Sequence, residues 1–179
     1  MILVIDTCRE KDSLHALEFV RPITDILKEC AIVHFTEINK EIIEAADKII
    51  ISGSPLKEAG YSEHLEFFKW LKDYDKPLLG ICNGIQIIGM TRGCELKEVT
   101  EIGPTTITKL QDDFLVNSMK KLEVYELHNY CINLPEDFEL LAKSDNCIQI
   151  IKHKEKPMYG TTFHPEVMNK ELITAFSEL

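Results

Sequence analysis

Three stretches of this chain carry no polar side chain: Ile2-Leu3-Val4-Ile5, Ile49-Ile50-Ile51 and Leu78-Leu79-Gly80-Ile81. Each has the length of a short strand, and a strand apolar on both faces must be covered on both, as in a parallel sheet between helices. Ala31 to Phe35 is a further short strand. Helical patterns lie between these runs. Leu14, Leu17, Ile23, Ile26 and Leu27 recur at near-helical spacing, with Pro22 breaking or restarting the helix. Glu37 to Ala46 reads as a short helix, and Leu65, Phe68, Trp70 and Leu71 mark an amphipathic one. The alternation predicts a three-layer α/β fold with a mostly parallel, flavodoxin-like or Rossmann-like sheet.

After Met90 the pattern changes. Thr105 to Leu110, Leu122 to Leu127, Phe138 to Ala142, Cys147 to Ile151 and Met158 to Phe163 alternate only partly and are separated by turn residues. They read as antiparallel or mixed strands appended to the sheet. Lys170 to Leu179 closes the chain as an amphipathic helix with Leu172, Ile173, Phe176 and Leu179 on its apolar side. No repeat, low-complexity tract or linker interrupts the 179 residues, so residues 1–179 are expected to form a single domain.

The chain has 20 Lys and Arg against 30 Asp and Glu, a net charge of −10, which repels phosphate backbones and argues against a nucleic-acid partner. The one basic cluster, Lys152-His153-Lys154-Glu155-Lys156, is interrupted by an acid and reads as a solvated turn. No apolar run is long enough to span a membrane. The six cysteines, Cys8, Cys30, Cys82, Cys94, Cys131 and Cys147, form no Cys-x-x-Cys pair, and the N-terminus opens without a basic leader. The expected setting is a reducing cytoplasm. No zinc-ligand spacing and no phosphate-binding Gly-rich loop with its Lys-Ser/Thr is present, so no metal site is expected.

In open α/β sheets ligands gather at the carboxyl ends of strands. Two small-residue turns fall there: Ser52-Gly53-Ser54-Pro55 and Gly80-Ile81-Cys82-Asn83-Gly84. The second is the cysteine counterpart of a strand-to-helix nucleophile elbow. A thiol at a helix start meets orphan N–H groups that favour a thiolate. Taken alone, Cys82 reads equally as a buried small hydrophobe. His164 directly follows an apolar strand and has Glu166 two residues on, in Phe163-His164-Pro165-Glu166. In an extended segment those side chains share a side, so Glu166 can hold one imidazole nitrogen while the other faces Cys82.

Gly80-Ile81-Cys82-Asn83-Gly84-Ile85-Gln86, followed by Phe163-His164-Pro165-Glu166-Val167, resembles the class I (triad) glutamine amidotransferases. Within that class, Tyr125-Glu126-Leu127-His128-Asn129-Tyr130, Leu134 to Ser144 and Pro157-Met158-Tyr159-Gly160 resemble the archaeal glutaminase subunit of GMP synthase. The resemblance implies hydrolysis of glutamine to glutamate and ammonia. Cys82 would be the nucleophile, His164 the base, Glu166 the orienting acid, and the N–H groups of Ser54 and Asn83 the oxyanion hole. Gly53 and Gln86 would contact substrate, and His128 and Asn129 would face a partner. The ammonia would pass to an ATP-pyrophosphatase synthetase, most readily for amination of XMP to GMP, with ATP and magnesium on the partner and no cofactor on this chain.

The sequence departs from the family pattern in places. Gly53-Ser54-Pro55 stands where Gly-Gly-Pro is usual, and serine serves there only if its φ is not positive. Ile85 precedes Gln86 where a histidine is common. Tyr130 stands in place of the acid in the segment that faces the synthetase, and the loop after Asp6 lacks the usual glycine and glutamine pattern. A paralogous amidotransferase, a γ-glutamyl hydrolase or a non-catalytic binding homologue are the alternative readings.

Overall fold

The computed structural model describes residues 1–57 and 60–179. Among the described residues ten strands are formed: β1 (Ile2–Asp6), β2 (Ala31–His34), β3 (Lys48–Ile51), β4 (Leu78–Ile81), β5 (Leu96–Thr106), β6 (Thr108–Lys109), β7 (Glu123–Ile132), β8 (Phe138–Lys143), β9 (Ile148–His153) and β10 (Met158–Thr161). The helices are α1 (Leu14–Phe19), α2 (Arg21–Leu27), α3 (Lys40–Ala45), α4 (Gly60–Glu63), α5 (Asn83–Thr91), α6 (Phe114–Ser118), α7 (Pro165–Met168) and α8 (Lys170–Glu178).

The main sheet runs β2-β1-β3-β4-β10-β9-β8-β6. Its first five strands are mutually parallel, and β9, β8 and β6 continue it antiparallel. Alternate side chains of each apolar strand go to opposite faces. Val4, Ile50, Leu79 and Ile81 pack with Ile23 of α2, Leu115 of α6 and Leu172 and Phe176 of α8. Leu3, Ile5, Ile49, Ile51 and Leu78 pack with Ile43 of α3, with Phe68 and Leu71, and with Ile85, Ile87 and Ile88 of α5. Both faces are therefore covered, as the all-apolar runs require.

Pro22 restarts the first helical stretch, lying in the first turn of α2 where its missing N–H costs nothing. Asn39 caps α3 by accepting from the Ile42 N–H at 2.9 Å. The amphipathic segment Leu65–Lys72 is a 3-10 helix.

Two expectations need correction. β10 is not an appended antiparallel strand: it pairs parallel to β4, Gly160 beside Gly80 and Thr161 beside Ile81, at the centre of the sheet. β5 and β7 do not join the sheet at all. They form a separate antiparallel ribbon, which docks on α5 where Ile132 comes so close to Gly89 that a Cβ there would lie 2.5 Å from Ile132 Cδ1. Strand pairing depends on which edges are vacant when the chain returns, and no local pattern records that.

Candidate active site

Cys82 sits between β4 and α5 with φ +50° and ψ −98°. This left-handed conformation is strained for a residue with a Cβ. It is held by the Cys82 N–H, which donates to the Thr161 carbonyl at 2.8 Å and so continues the β4–β10 ladder past the strand ends. The glycines around it serve close approach. A Cβ on Gly84 would lie 2.7 Å from the Ile51 carbonyl oxygen, and one on Gly80 would lie 2.5 Å from the Gly84 carbonyl carbon. α5 can start directly over the strand ends only because both are glycine. The thiol contacts the Leu127 carbonyl oxygen of β7 at 3.6 Å and Asn83 Oδ1 at 3.7 Å.

His164 arrives from the adjacent strand. Its N–H donates to the Tyr125 carbonyl at 2.9 Å, and Pro165 then opens α7. Glu166 therefore lies in a helix first turn, and the expected extended i, i+2 relation does not hold. The two side chains meet because His164 itself is still extended (φ −101°, ψ 90°) while the helix turns Glu166 back under it. Imidazole Nδ1 is 2.7 Å from Glu166 Oε1, both side chains being buried. His164 Nε2 makes no hydrogen bond to nitrogen or oxygen.

Gly53 packs against both the ring and the cysteine with which the imidazole interacts. A Cβ there would lie 2.6 Å from His164 Cε1 and 3.3 Å from Cys82 Cβ, so imidazole and cysteine flank a single point on the second small-residue turn. Thr7 ties that turn to the end of β1, its hydroxyl donating to the carbonyls of Ser52 at 3.0 Å and Gly53 at 3.2 Å. Phe19 packs edge-on to the His164 ring at 5.6 Å. Burial is the largest influence on His164 and opposes its charge. The Glu166 carboxylate and Cys82 together outweigh it and hold the imidazole well above its usual range.

Ser54 is not among the positive-φ residues of the described chain, so serine in place of glycine is unstrained there. The Asn83 side-chain amide donates to the Ser54 hydroxyl, joining the turns that carry the two expected oxyanion donors. Gln86 is buried on α5. It accepts from the Tyr61 hydroxyl and donates to the Tyr130 carbonyl at 3.0 Å. Burial, with Cys82 and Tyr130 nearby, pushes the Tyr61 phenol well above its usual range. Ser54, Pro55, Tyr61, Cys82, Gln86 and Leu127 are among the residues lining a narrow cleft.

His128 does not fit the expected interface role. Its ring is buried among side chains of the ribbon, with 1% of the side chain exposed. Alternation along β7 turns it inward beside Glu126. Asn129 stays half-buried, donating to the Leu56 carbonyl at 3.2 Å and accepting from the Thr100 hydroxyl at 3.1 Å. The sequence reading missed Tyr61, Leu127 and the Tyr130 carbonyl. The latter two reach the cleft through backbone oxygen, which leaves no mark on residue type. It also named no cysteine pairing and expected a reducing cytoplasm, whereas Cys131 and Cys147 form a disulfide with Cα atoms 6.1 Å apart.

Among the described residues no helix is long and apolar enough to cross a membrane. The chain is 39% identical over 132 residues to the glutamine-hydrolysing GMP synthase subunit of Pyrococcus abyssi, covering 69% of this chain and 68% of that protein. Its counterpart in Methanosarcina acetivorans is 33% identical over 170 residues, covering 89% and 87%. The solved structure of a Thermoplasma acidophilum protein assigned to GMP synthase superposes with a TM-score of 0.82 at 26% identity, covering 98% of this chain and 92% of that one. A glutamine amidotransferase structure from Thermotoga maritima shares the fold, with a TM-score of 0.68 over 99% and 83% of the two chains at 20% identity. Residues 18–177 match the class-I glutamine amidotransferase family, and with a buried cysteine, histidine and glutamate converging at its strand ends this chain belongs to that family and is a glutamine amidotransferase.

Proposed function

We propose that Cys82, His164 and Glu166 hydrolyse glutamine, and that the ammonia goes to a separate ATP-pyrophosphatase synthetase that aminates XMP to GMP. The Cys82 thiolate attacks the side-chain amide carbon while His164 holds the thiol proton, and Glu166 keeps the ring in the tautomer and orientation that turn Nε2 toward the sulfur. The N–H groups of Ser54 and Asn83 receive the charge that develops on the amide oxygen. One such donor contributes roughly 3–4 kcal/mol to the transition state. The imidazolium returns its proton to the departing ammonia. Water, activated by the same ring, then releases glutamate from the thioester.

The observation that carries this reading is the shared position of Cys82 and His164 against Gly53, with Glu166 bonded to imidazole Nδ1. The acceptor rests on likeness to the archaeal GMP synthase proteins, and a cytoplasmic setting goes with it. The test is ammonia release from glutamine, measured with and without a GMP-forming synthetase supplied with XMP, ATP and magnesium. Stimulation by that partner, together with a glutamyl thioester trapped on Cys82, is expected. No release with any synthetase and no thioester would overturn the chemistry. Release coupled only to a different acceptor would overturn the assignment to GMP.

A further inference from the structure

The ribbon buries a second polar cluster that the amidotransfer chemistry does not use. Glu126 and His128 project from the same face of β7, and register places Glu101 of β5 opposite His128. His128 Nδ1 lies 3.1 Å from the Val99 carbonyl oxygen, which can only accept, so Nδ1 carries the ring proton. The other nitrogen, Nε2, points at two carboxylates at once, 3.1 Å from Glu126 Oε2 and 3.2 Å from Glu101 Oε2. Glu126 is fully buried, and neither of its oxygens receives a hydrogen bond. Two carboxylates and a ring nitrogen meeting out of water need a cation between them, either a proton or a metal ion.

A fourth side chain favours the metal. One ligand atom each from Glu101, His128 and Cys147 lie within 4.8 Å of one another, so small side-chain rotations bring all three to the bond lengths of a divalent ion. The Nδ1–carbonyl contact is the outer hydrogen bond that metal-ligating histidines use to fix their tautomer. Glu101 is steadied in the same way, by Asn146 Nδ2 at 3.0 Å and the Ser144 hydroxyl at 3.3 Å. The sulfur is withheld, because Cys147 is bonded to Cys131.

We propose that Glu101, Glu126, His128 and Cys147 form a zinc-type metal site that opens when the Cys131–Cys147 disulfide is reduced. A dithiol reductant supplies two electrons and two protons. The S–S bond breaks, two thiols form, and the reductant leaves as its own disulfide. The divalent ion then takes the Cys147 sulfur, releasing the thiol proton to solvent. One sulfur, one imidazole nitrogen and two carboxylates select zinc or cobalt over magnesium or calcium. The site adjoins the catalytic cleft: His128 follows Leu127, whose carbonyl contacts the Cys82 thiol. The assignment does not depend on which acceptor receives the ammonia.

The probe is Co²⁺, titrated into the full chain after phosphine reduction and removal of free metal. One ion per chain is expected, with a thiolate-to-cobalt charge-transfer band that the oxidised protein lacks. The band persists in Cys82→Ala, which excludes the catalytic thiol. It appears without reductant in Cys131→Ser, where the disulfide cannot form. It disappears in Cys147→Ser, and Glu101→Gln weakens binding by at least about tenfold. A band that survives Cys147→Ser would overturn the site, as would its absence from both reduced wild type and Cys131→Ser when their circular dichroism is native. Equal binding by the oxidised protein would overturn the role of the disulfide.

Discussion

The parallel half of the sheet and the β5–β7 ribbon each bury an imidazole against a carboxylate, yet by different means. His164 is fixed by main chain: its own N–H is held by Tyr125, Pro165 starts a helix at once, and Glu166 is the one carboxylate bonded to Nδ1. His128 is fixed between the two strands of the ribbon, with one nitrogen on the Val99 main-chain carbonyl and the other facing two acids. The first arrangement leaves one ring nitrogen open toward a sulfur, as proton transfer requires. The second sets both ring nitrogens against oxygen, as a structural or metal-holding role requires.

The contrast is sharpened first by Cys82→Ala, expected to lower glutamine hydrolysis by about 10,000-fold or more while leaving the fold intact, as judged by ammonia assay and thermal melting. A smaller loss of activity would mean that the open nitrogen of His164 serves some other group. Next comes Glu166→Gln, for which a loss of about 100- to 10,000-fold is expected. Without the carboxylate, burial prevails and the His164 proton is lost at a lower pH than in the wild type, which the histidine ring resonances in NMR titration would report. The linked stability has a definite sign. A raised imidazole stabilises the fold fully below its unfolded pKa of about 6.5, and that contribution is lost as pH rises through the higher folded value. The stability of Glu166→Gln should therefore fall less than that of the wild type as the solution is made alkaline.

Gly53→Ala follows, because its new methyl group would lie 2.6 Å from His164 Cε1 and must push the ring aside. A loss of about 100-fold is expected from misplacing one group by a fraction of an ångström to an ångström, with the melting temperature changed little. In the ribbon the expected signature reverses. His128→Gln removes the ring between two acids and should cost about 1–3 kcal/mol of stability, with a smaller effect on hydrolysis than any of the three preceding substitutions. Activity lost in His128→Gln as severely as in Glu166→Gln, at unchanged stability, would erase the distinction between the two histidines.

The same division governs what could be read from sequence. β1, β3 and β4 were legible because burial on both faces leaves only apolar residues, and Cys82 because a strand-to-helix elbow needs small residues at fixed offsets. Glu166 was placed beside His164 for a reason that does not hold, an extended i, i+2 relation, whereas a helix turn brings the two together. Of the ribbon only the first half of β7, read as Leu122 to Leu127, and the last residues of β5 were legible as strand. Eleven residues of β5 carry Thr100, Glu101 and Gly103 in a half-exposed alternation that resembles a loop. His128 was expected at the surface because its burial depends on Glu101, 27 positions away. The Cys131–Cys147 pairing spans 16 positions and likewise follows from which strands become neighbours.

Thr161 receives the Cys82 amide, so the strand that delivers the histidine also locks the bend that presents the sulfur. A growing polypeptide that has emerged only as far as Lys156 holds the cysteine but has neither its clamp nor its base. Reactivity is thus switched on late in synthesis, when Met158–Thr161 closes the gap between β4 and β9, and a half-made chain is spared a thiol that could act on whatever passes by.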